Sequence, residues 1–440
     1  MSGALRVAGG KALRGRVSVP IDLEVAQASL LMAALADGRS ELPSLPKDSD
    51  AERFLELLAG MGVRYQSGER LTIDGVGLDG LRMPGGALDC GSSCYALALC
   101  AGLISAQRFG TRILAKTSRS VEQLVGPLRA RGAHIAAQND AEGRALPPLA
   151  VAPLVEGEAL QALDCSLSVA DPAAKSGVLV SALFAKGPTT LSEPTVSADH
   201  LERLFVGLGL PLRRIGSVVA FDPGAWDRTV PPQRNTQLPG SASIAAYLCV
   251  AAQLVPGSAI ALEAAGINPT RSGVLDVLRS WGADLAVAPS GDASMREPIG
   301  ELTLRTRGLR GGVLGGEELV RSRDEVAALA MLAAGSQRAI ELFDLAALDR
   351  AAWAQVPELL RAFGLPCELS GDRLLLPKGH SLRAARFDAR DDAQLALAAV
   401  ALGLASPGES VLEHASHALA RSYPGFIEIA RALGGEIHAV

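Results

Sequence analysis

The sequence predicts an α/β protein of two domains built from six copies of one unit, and three observations carry that expectation. An apolar pattern spaced i, i+3, i+4, i+7 occurs six times, a glycine follows each occurrence, and a run of small apolar residues precedes each. The spacing marks a helix with one face turned to a core.

The stripes are Phe54/Leu57/Leu58/Met61, Val121/Leu124/Val125/Leu128, Leu201/Leu204/Phe205/Leu208, Val274/Val277/Leu278/Trp281, Val356/Leu359/Leu360/Phe363 and Phe426/Ile429/Ala430/Leu433, starting roughly seventy residues apart. In five of them a glycine comes one residue after the last stripe position: Gly62, Gly209, Gly282, Gly364 and Gly434. In the second, Arg131-Gly132 comes a turn later. Glycine there takes the left-handed conformation that closes a helix, and β-prone segments such as Val63-Arg64-Tyr65 and Glu436-Ile437 follow.

The preceding runs are SLLMAALADG, YALALCAGLIS, SGVLVSALFAKG, IAAYLCVAAQLVPG, EVAALAMLAAG and QLALAAVALGLASPG. Helices this apolar on every side are buried among neighbours, and TTLSEP, AIALEAAG and SVLEHAS read as strands after them. A solenoid would stack six units in a line. Units with two helices and several strands instead close into compact domains, and the polar stretch Gly224 to Pro239 divides them three and three.

At 440 residues the chain is too long for one core. With 48% apolar and 20% charged residues it is a packed globular protein, and a net charge of -5 with no broad basic stretch excludes a nucleic-acid or membrane surface. The six cysteines lie in or beside apolar segments without paired C-x-x-C spacing, which reads as buried thiols in a reducing compartment. A metal pair of Cys90 and Cys94 is the weaker reading. The N-terminus has no signal-peptide core and the apolar runs are too short to span a bilayer, so a cytoplasmic protein without metal or cofactor is expected.

Several stretches, in their order and spacing, resemble the enolpyruvyl transferases, and the EPSP synthases (3-phosphoshikimate 1-carboxyvinyltransferases) most closely. They include VSVPIDLEVAQASLLMAALADG, LDCGSSCYALALCAGL, LSEPTVSADHLERL, GINPTRSGVLDVLRSWGADL, SRDEVAALAMLAAG and ARSYPGFIEIARALG; the GxNPTRxG match is the most specific. The resemblance spans essentially the whole chain. It implies an inside-out, barrel-like α/β (α+β) fold of six βαβαββ-type repeats, one lobe at 20–236 and the other at 1–19 plus 237–440, with the ligand cleft between them. It also implies a small anionic substrate, phosphoenolpyruvate or a shikimate-type acid, and a monomer.

The family's P-G-D-K-S-I-S-H-R falls on Pro20 to Ala28, so its Lys, Ser and Arg become Leu23, Glu24 and Ala28, while Asp22 is kept. Its N-S/A-G-T becomes Ser92-Ser93-Cys94-Tyr95, leaving Ser93. Its Ser-Ala-Gln becomes Asp171-Pro172-Ala173, followed by Lys175. K-E-S-D-R becomes Ala346 to Arg350, and D-H-R becomes Asp392-Ala393-Gln394. Arg119, Arg350 and Arg421 match arginines or a lysine of the phosphoenolpyruvate side. Ser197 matches a contact to the shikimate phosphate, and Asp324 matches the candidate base, with Glu325 beside it.

The resemblance thus gives Asp324, Glu325 and Glu24 as candidate catalytic groups, and Arg119, Arg350, Arg421, Ser197, Lys175, Asp22 and Ser93 as candidate substrate contacts. Each has a plainer reading. Asp324 and Glu325 open an apolar helix and Asp171 precedes Pro172, where acids cap; lone arginines near helix ends are commonly solvated. Lys175 sits early in its helix, against the dipole. Three functions are weighed: an ordinary EPSP synthase, a divergent enzyme acting on a shikimate-like hydroxy acid, and a non-catalytic binding or scaffold protein that keeps only the fold. With several cations of the family's set missing, the divergent enzyme is the expectation.

Overall fold

The computed structural model describes residues 3–234, 236–290 and 297–440. The chain forms two compact units: Met1–Asp22, Pro239–Gly291 and Pro298–Val440 make one, and Leu23–Leu238, with Glu297, the other.

All six stripes are helices, at Asp50–Gly60, Glu122–Ala130, His200–Gly207, Gly273–Ser280, Val356–Ala362 and Phe426–Ala432. Each ends at a glycine with positive φ, from 79° at Gly209 to 100° at Gly132. The apolar runs are the inner helices Leu23–Ala34, Cys94–Ile104, Pro172–Ala182, Ala242–Leu254, Val326–Met331 and Ala393–Ala405, buried at nearly every position. Each fully buried Leu, Ile or Val contributes about 1.5–3 kcal/mol, and the inner helices, outer helices and strands all supply them. The fifth is α-helical only over six residues and tightens into 3-10 turns at Arg323–Glu325 and Leu332–Gly335.

Five of the six sheets have four strands, and their first pair is parallel while the others are antiparallel, so each repeat is strand, inner helix, parallel strand, outer helix and hairpin. The sheet of Arg39–Pro43, Arg70–Asp74 and Arg64–Gln66 has three, because the strand preceding its inner helix belongs elsewhere. That strand, Arg14–Ser18, pairs in parallel with Ala259–Gly266. Leu5–Gly9 likewise lies between Gly408–Glu413 and Glu436–Ala439, antiparallel to both. Two N-terminal strands therefore complete sheets made from the C-terminal half.

Within the Leu23–Leu238 unit, helices Cys94–Ile104 and Pro172–Ala182 touch through their backbones. A Cβ on Gly102 would lie 2.0 Å from the Gly177 carbonyl oxygen, and one on Gly177 2.6 Å from that of Ala98. No larger residue fits at either position.

The second stripe departs from its expected register. In the position before the closing glycine, where the other repeats place Met61, Leu208, Trp281, Phe363 and Leu433, the chain has Arg131, fully buried. Its guanidinium donates to Ser181 Oγ (2.6 Å), Thr189 Oγ1 (2.7 Å) and the carbonyls of Val178 and Gln161 (both 3.2 Å). Burial pushes its pKa down to about 10, so it remains a cation at neutral pH, held by neutral acceptors. It ties the end of an outer helix to an inner helix and a strand. Arg131→Ala leaves those acceptors unpaired and is expected to lower the free energy of unfolding by about 3 kcal/mol, measured by denaturant titration.

Candidate functional site

In the unit containing both chain termini, the three inner helices begin at one end. Ser241 caps Ala242–Leu254, and Asp392 caps Ala393–Ala405 through Gln394 N (2.9 Å) and Leu395 N (3.0 Å). Between them lies the turn Arg323–Glu325. Ser243 Oγ donates to Glu325 Oε1 (2.5 Å) and Gln394 Nε2 to Asp324 Oδ1 (2.8 Å), so side chains from all three helix starts meet.

Arg271 sits at the centre. Its Nη1 donates to Asp324 Oδ2 (2.5 Å), and its Nη2 to Glu325 Oε1 and Ser243 Oγ (both 3.0 Å). The motif Gly266 to Gly273 puts it there. Asn268 Oδ1 accepts from Thr270 N and Oγ1, folding the turn, and Arg321 Nε bonds the Pro269 carbonyl. Gly273 lets the segment carrying Asp324 approach, since a Cβ there would lie 2.1 Å from Ser322 Oγ.

Glu325, at the N-cap of Val326–Met331, makes no side-chain cap bond, and both it and Asp324 are held by the guanidinium. The two carboxylates share Arg271, Asp324 also has Arg323 Nε at 3.8 Å, and they differ in access. The Asp324 side chain is 12% exposed and that of Glu325 1%. Burial, with repulsion from Asp324 and Asp22, pushes the Glu325 pKa up to about 7 against the pull of Arg271 and Ser243. The phenols of Tyr247 and Tyr423 are raised by burial and by the same two acids, and stay protonated.

Of the other expected residues in this unit, Asp22 is half-buried and near enough to Glu325 to raise its pKa. Arg421, in the last turn of Ser416–Ser422, has a buried Nε with no hydrogen-bond partner among the described residues. Arg350 is exposed on the 3-10 turn Arg350–Ala352.

The Leu23–Leu238 unit repeats the convergence of helix starts. Gln27 accepts from Ser93 Oγ (3.1 Å), and Ser176 Oγ bonds Tyr95 Oη (3.2 Å), so these three helices also begin side by side. Glu24 occupies the first turn of one. Ser93 caps the second, its Oγ accepting from Ala96 N, and Asp171 caps the third through Ala173 N and Ala174 N. Arg119 is half-buried, in a loop joined to the second helix start by Thr117, which receives bonds from Arg119 N and Cys94 Sγ.

Lys175, an expected substrate contact, has its ammonium 2.9 Å from Glu193 and 2.8 Å from Glu202, all three side chains at most 3% exposed. Burial alone would lower its pKa, but Glu202 and Glu193 outweigh that and raise it; burial raises Glu202. The ammonium is thus spent inside the unit, which explains a lysine placed against its helix dipole. Ser197 is buried too, with Oγ donating to Glu193 Oε1 (2.7 Å), so its one hydroxyl proton is already directed to a carboxylate. His200 Nδ1 lies 2.5 Å from Glu297.

Arg271, Ser243 and Gln394 were absent from the expected set. The signal for Arg271 was in the sequence, in the most specific motif, GINPTRSG. Glu193 and Glu202 lie in LSEPTVSADHLER, among residues singled out for other reasons.

Because Glu325 binds its proton more tightly in the folded chain than at its ordinary 4.5, its stabilising contribution is greatest below pH 4.5 and is lost as pH rises to about 7. Urea unfolding at pH 5 and pH 7.5 should show that loss. Glu325→Gln should flatten it.

The family profile described as EPSP synthase (3-phosphoshikimate 1-carboxyvinyltransferase) matches residues 7–429. The 3-phosphoshikimate 1-carboxyvinyltransferase of Solibacter usitatus is 32% identical over 433 residues, covering 96% of this chain and 97% of that protein. The structure of EPSP synthase from Acinetobacter baumannii superposes with a TM-score of 0.81 at 28% identity, covering 99% of this chain and all of that one. The enolpyruvyl transferase NikO from Streptomyces tendae shares the fold, with a TM-score of 0.75 at 18% identity over 99% of this chain and 98% of its own. No helix among the described residues is long and apolar enough to cross a membrane. A match of this length at this identity, together with the fold, places the chain in the EPSP synthase family.

Proposed function

We propose that this chain is a divergent enzyme of that family, acting on a cyclic, shikimate-like hydroxy acid by carboxyvinyl transfer from phosphoenolpyruvate or by elimination of water or phosphate, and is not an ordinary EPSP synthase. One observation carries the reading. Asp324 is a partly accessible carboxylate fixed by Arg271 and Gln394, beside a buried acid whose pKa is near 7. A carboxylate oriented by a fixed cation, beside an acid whose pKa burial has raised, suits proton transfer at neutral pH.

In carboxyvinyl transfer the methylene carbon of phosphoenolpyruvate gains a proton and the substrate hydroxyl oxygen bonds to the adjacent carbon. Asp324 takes the hydroxyl proton. The carbon–oxygen bond to phosphate then breaks, a methyl proton is lost, and the vinyl group re-forms on the substrate oxygen as phosphate leaves. Glu325, its side chain 1% exposed, serves to hold Arg271 and limit the negative charge beside Asp324. Arg421, whose Nε has no hydrogen-bond partner among the described residues, Arg350 and Arg119 are the proposed anchors for ligand carboxylate or phosphate, since guanidinium donors match such oxygens in pairs. Glu24 is the second candidate proton carrier, and Asp22 and Ser93 are candidate contacts.

A second reading is a binding or scaffold protein without chemistry. It is favoured by the commitment of Lys175 and Arg271 to internal carboxylates. Phosphate release from phosphoenolpyruvate, assayed with a panel of shikimate-type acids, separates the two. The enzyme reading expects release with at least one acid, and Asp324→Asn should slow it by about 10²–10⁴-fold in protein that circular dichroism shows to be folded. If no acid supports turnover and none raises the melting temperature, the scaffold reading replaces it.

A further inference from the structure

We infer that Gln394 is a positioning residue for Asp324, its amide fixing the orientation of that carboxylate without neutralising it. The inference rests on the enzymatic reading, in which Asp324 takes the proton of the substrate hydroxyl, and adds to it the residue that aims and tunes the base.

The two oxygens of Asp324 are held from different elements. Oδ2 accepts from Arg271 Nη1 (2.5 Å), which precedes helix Gly273–Ser280, and Oδ1 accepts from Gln394 Nε2 (2.8 Å), in the first turn of helix Ala393–Ala405. Rotation about the Cβ–Cγ bond of Asp324 would break these bonds. Gln394 is itself anchored, its backbone N–H donating to Asp392 Oδ1 (2.9 Å) at the helix start. An amide beside an ionised carboxylate can present only its N–H side, so the contact also fixes which way the Gln394 side chain points.

The charge at this position matters as much as the hydrogen bond. Arg271 is shared with Glu325, and Arg323 Nε lies 3.8 Å from Asp324 Oδ1, so two guanidiniums already attend the carboxylate. The other titratable groups around it are the acids Glu325 and Asp22 and the phenols of Tyr247 and Tyr423, which stay protonated. A further cation on Oδ1 would stabilise the ionised form and make Asp324 a poorer proton acceptor, whereas an acid there would favour its protonation. A neutral amide orients the carboxylate and does neither. If Gln394 were only structural, substitution would cost stability; only a positioning role makes activity respond with opposite sign to opposite charges at this one place.

Phosphate release from phosphoenolpyruvate with the panel of shikimate-type acids, followed across the acid and neutral pH range, tests this in the full chain and in Gln394→Ala, Gln394→Glu and Gln394→Arg, each shown to be folded by circular dichroism. Gln394→Ala is expected to lower kcat by about 10- to 100-fold with KM little changed. The acid limb of the pH–rate profile, where activity falls as the base gains its proton, is expected to move up by about one pH unit in Gln394→Glu and down by about as much in Gln394→Arg. An unchanged kcat in Gln394→Ala, or a limb that stays in place or moves the same way in the two charged variants, overturns the inference and leaves the enzymatic reading standing. Turnover with no acid of the panel overturns the inference together with that reading.

Discussion

Each unit depends on burying three helices that have no polar face. Small residues allow backbones to meet, as at Gly102 and Gly177, and the reward is a dense apolar interior. The cost appears at one end, where three sets of helix N–H groups emerge together and must be satisfied. Both units solve this with side chains that bridge from one helix start to the next. One uses Ser243–Glu325 and Gln394–Asp324; the other uses Gln27–Ser93 and Tyr95–Ser176. Candidate chemistry gathers at these ends because polar side chains are obligatory there, whereas most of the interior is apolar.

The two ends differ in electrostatic character. Around Arg271 two acids share that guanidinium, with Arg323 3.8 Å from Asp324, and burial raises the pKa of Glu325. Around Lys175 two glutamates again face one cation, but the group is sealed, with Glu193 drawing in the backbone of the Ser197 loop. The first arrangement leaves Asp324 partly accessible, whereas the second is a closed structural knot. A buried ion pair is weak evidence for net stability but strong evidence that removing one partner is costly, by about 3–5 kcal/mol.

Much of the fold was legible because helical periodicity and glycine stops are local: each stripe and its closing glycine lie within ten residues of one another. Arg131 was not, since a charged residue in an apolar slot breaks the pattern, and its four acceptors come from segments thirty to sixty residues away. The site divides similarly. Asp324 and Glu325 were found by resemblance, but the role of Arg271 depends on a residue more than fifty positions distant, and the plainer capping explanation for the acids could be weighed only against coordinates. Lys175 was singled out correctly as unusual for its helix. Its partners, Glu193 and Glu202, lie beyond the reach of spacing arguments.

The strands Leu5–Gly9 and Arg14–Ser18 have a bearing on how the chain is made. Both precede their partners in the chain: Arg14–Ser18 waits for Ala259–Gly266, and Leu5–Gly9 for Gly408–Glu413 and Glu436–Ala439. The Leu23–Leu238 unit has its three sheets complete in its own sequence and can close during synthesis. Leu5–Gly9 of the other stays unpaired until Gly408–Glu413 and Glu436–Ala439 have been made, so those strands govern when that unit can close.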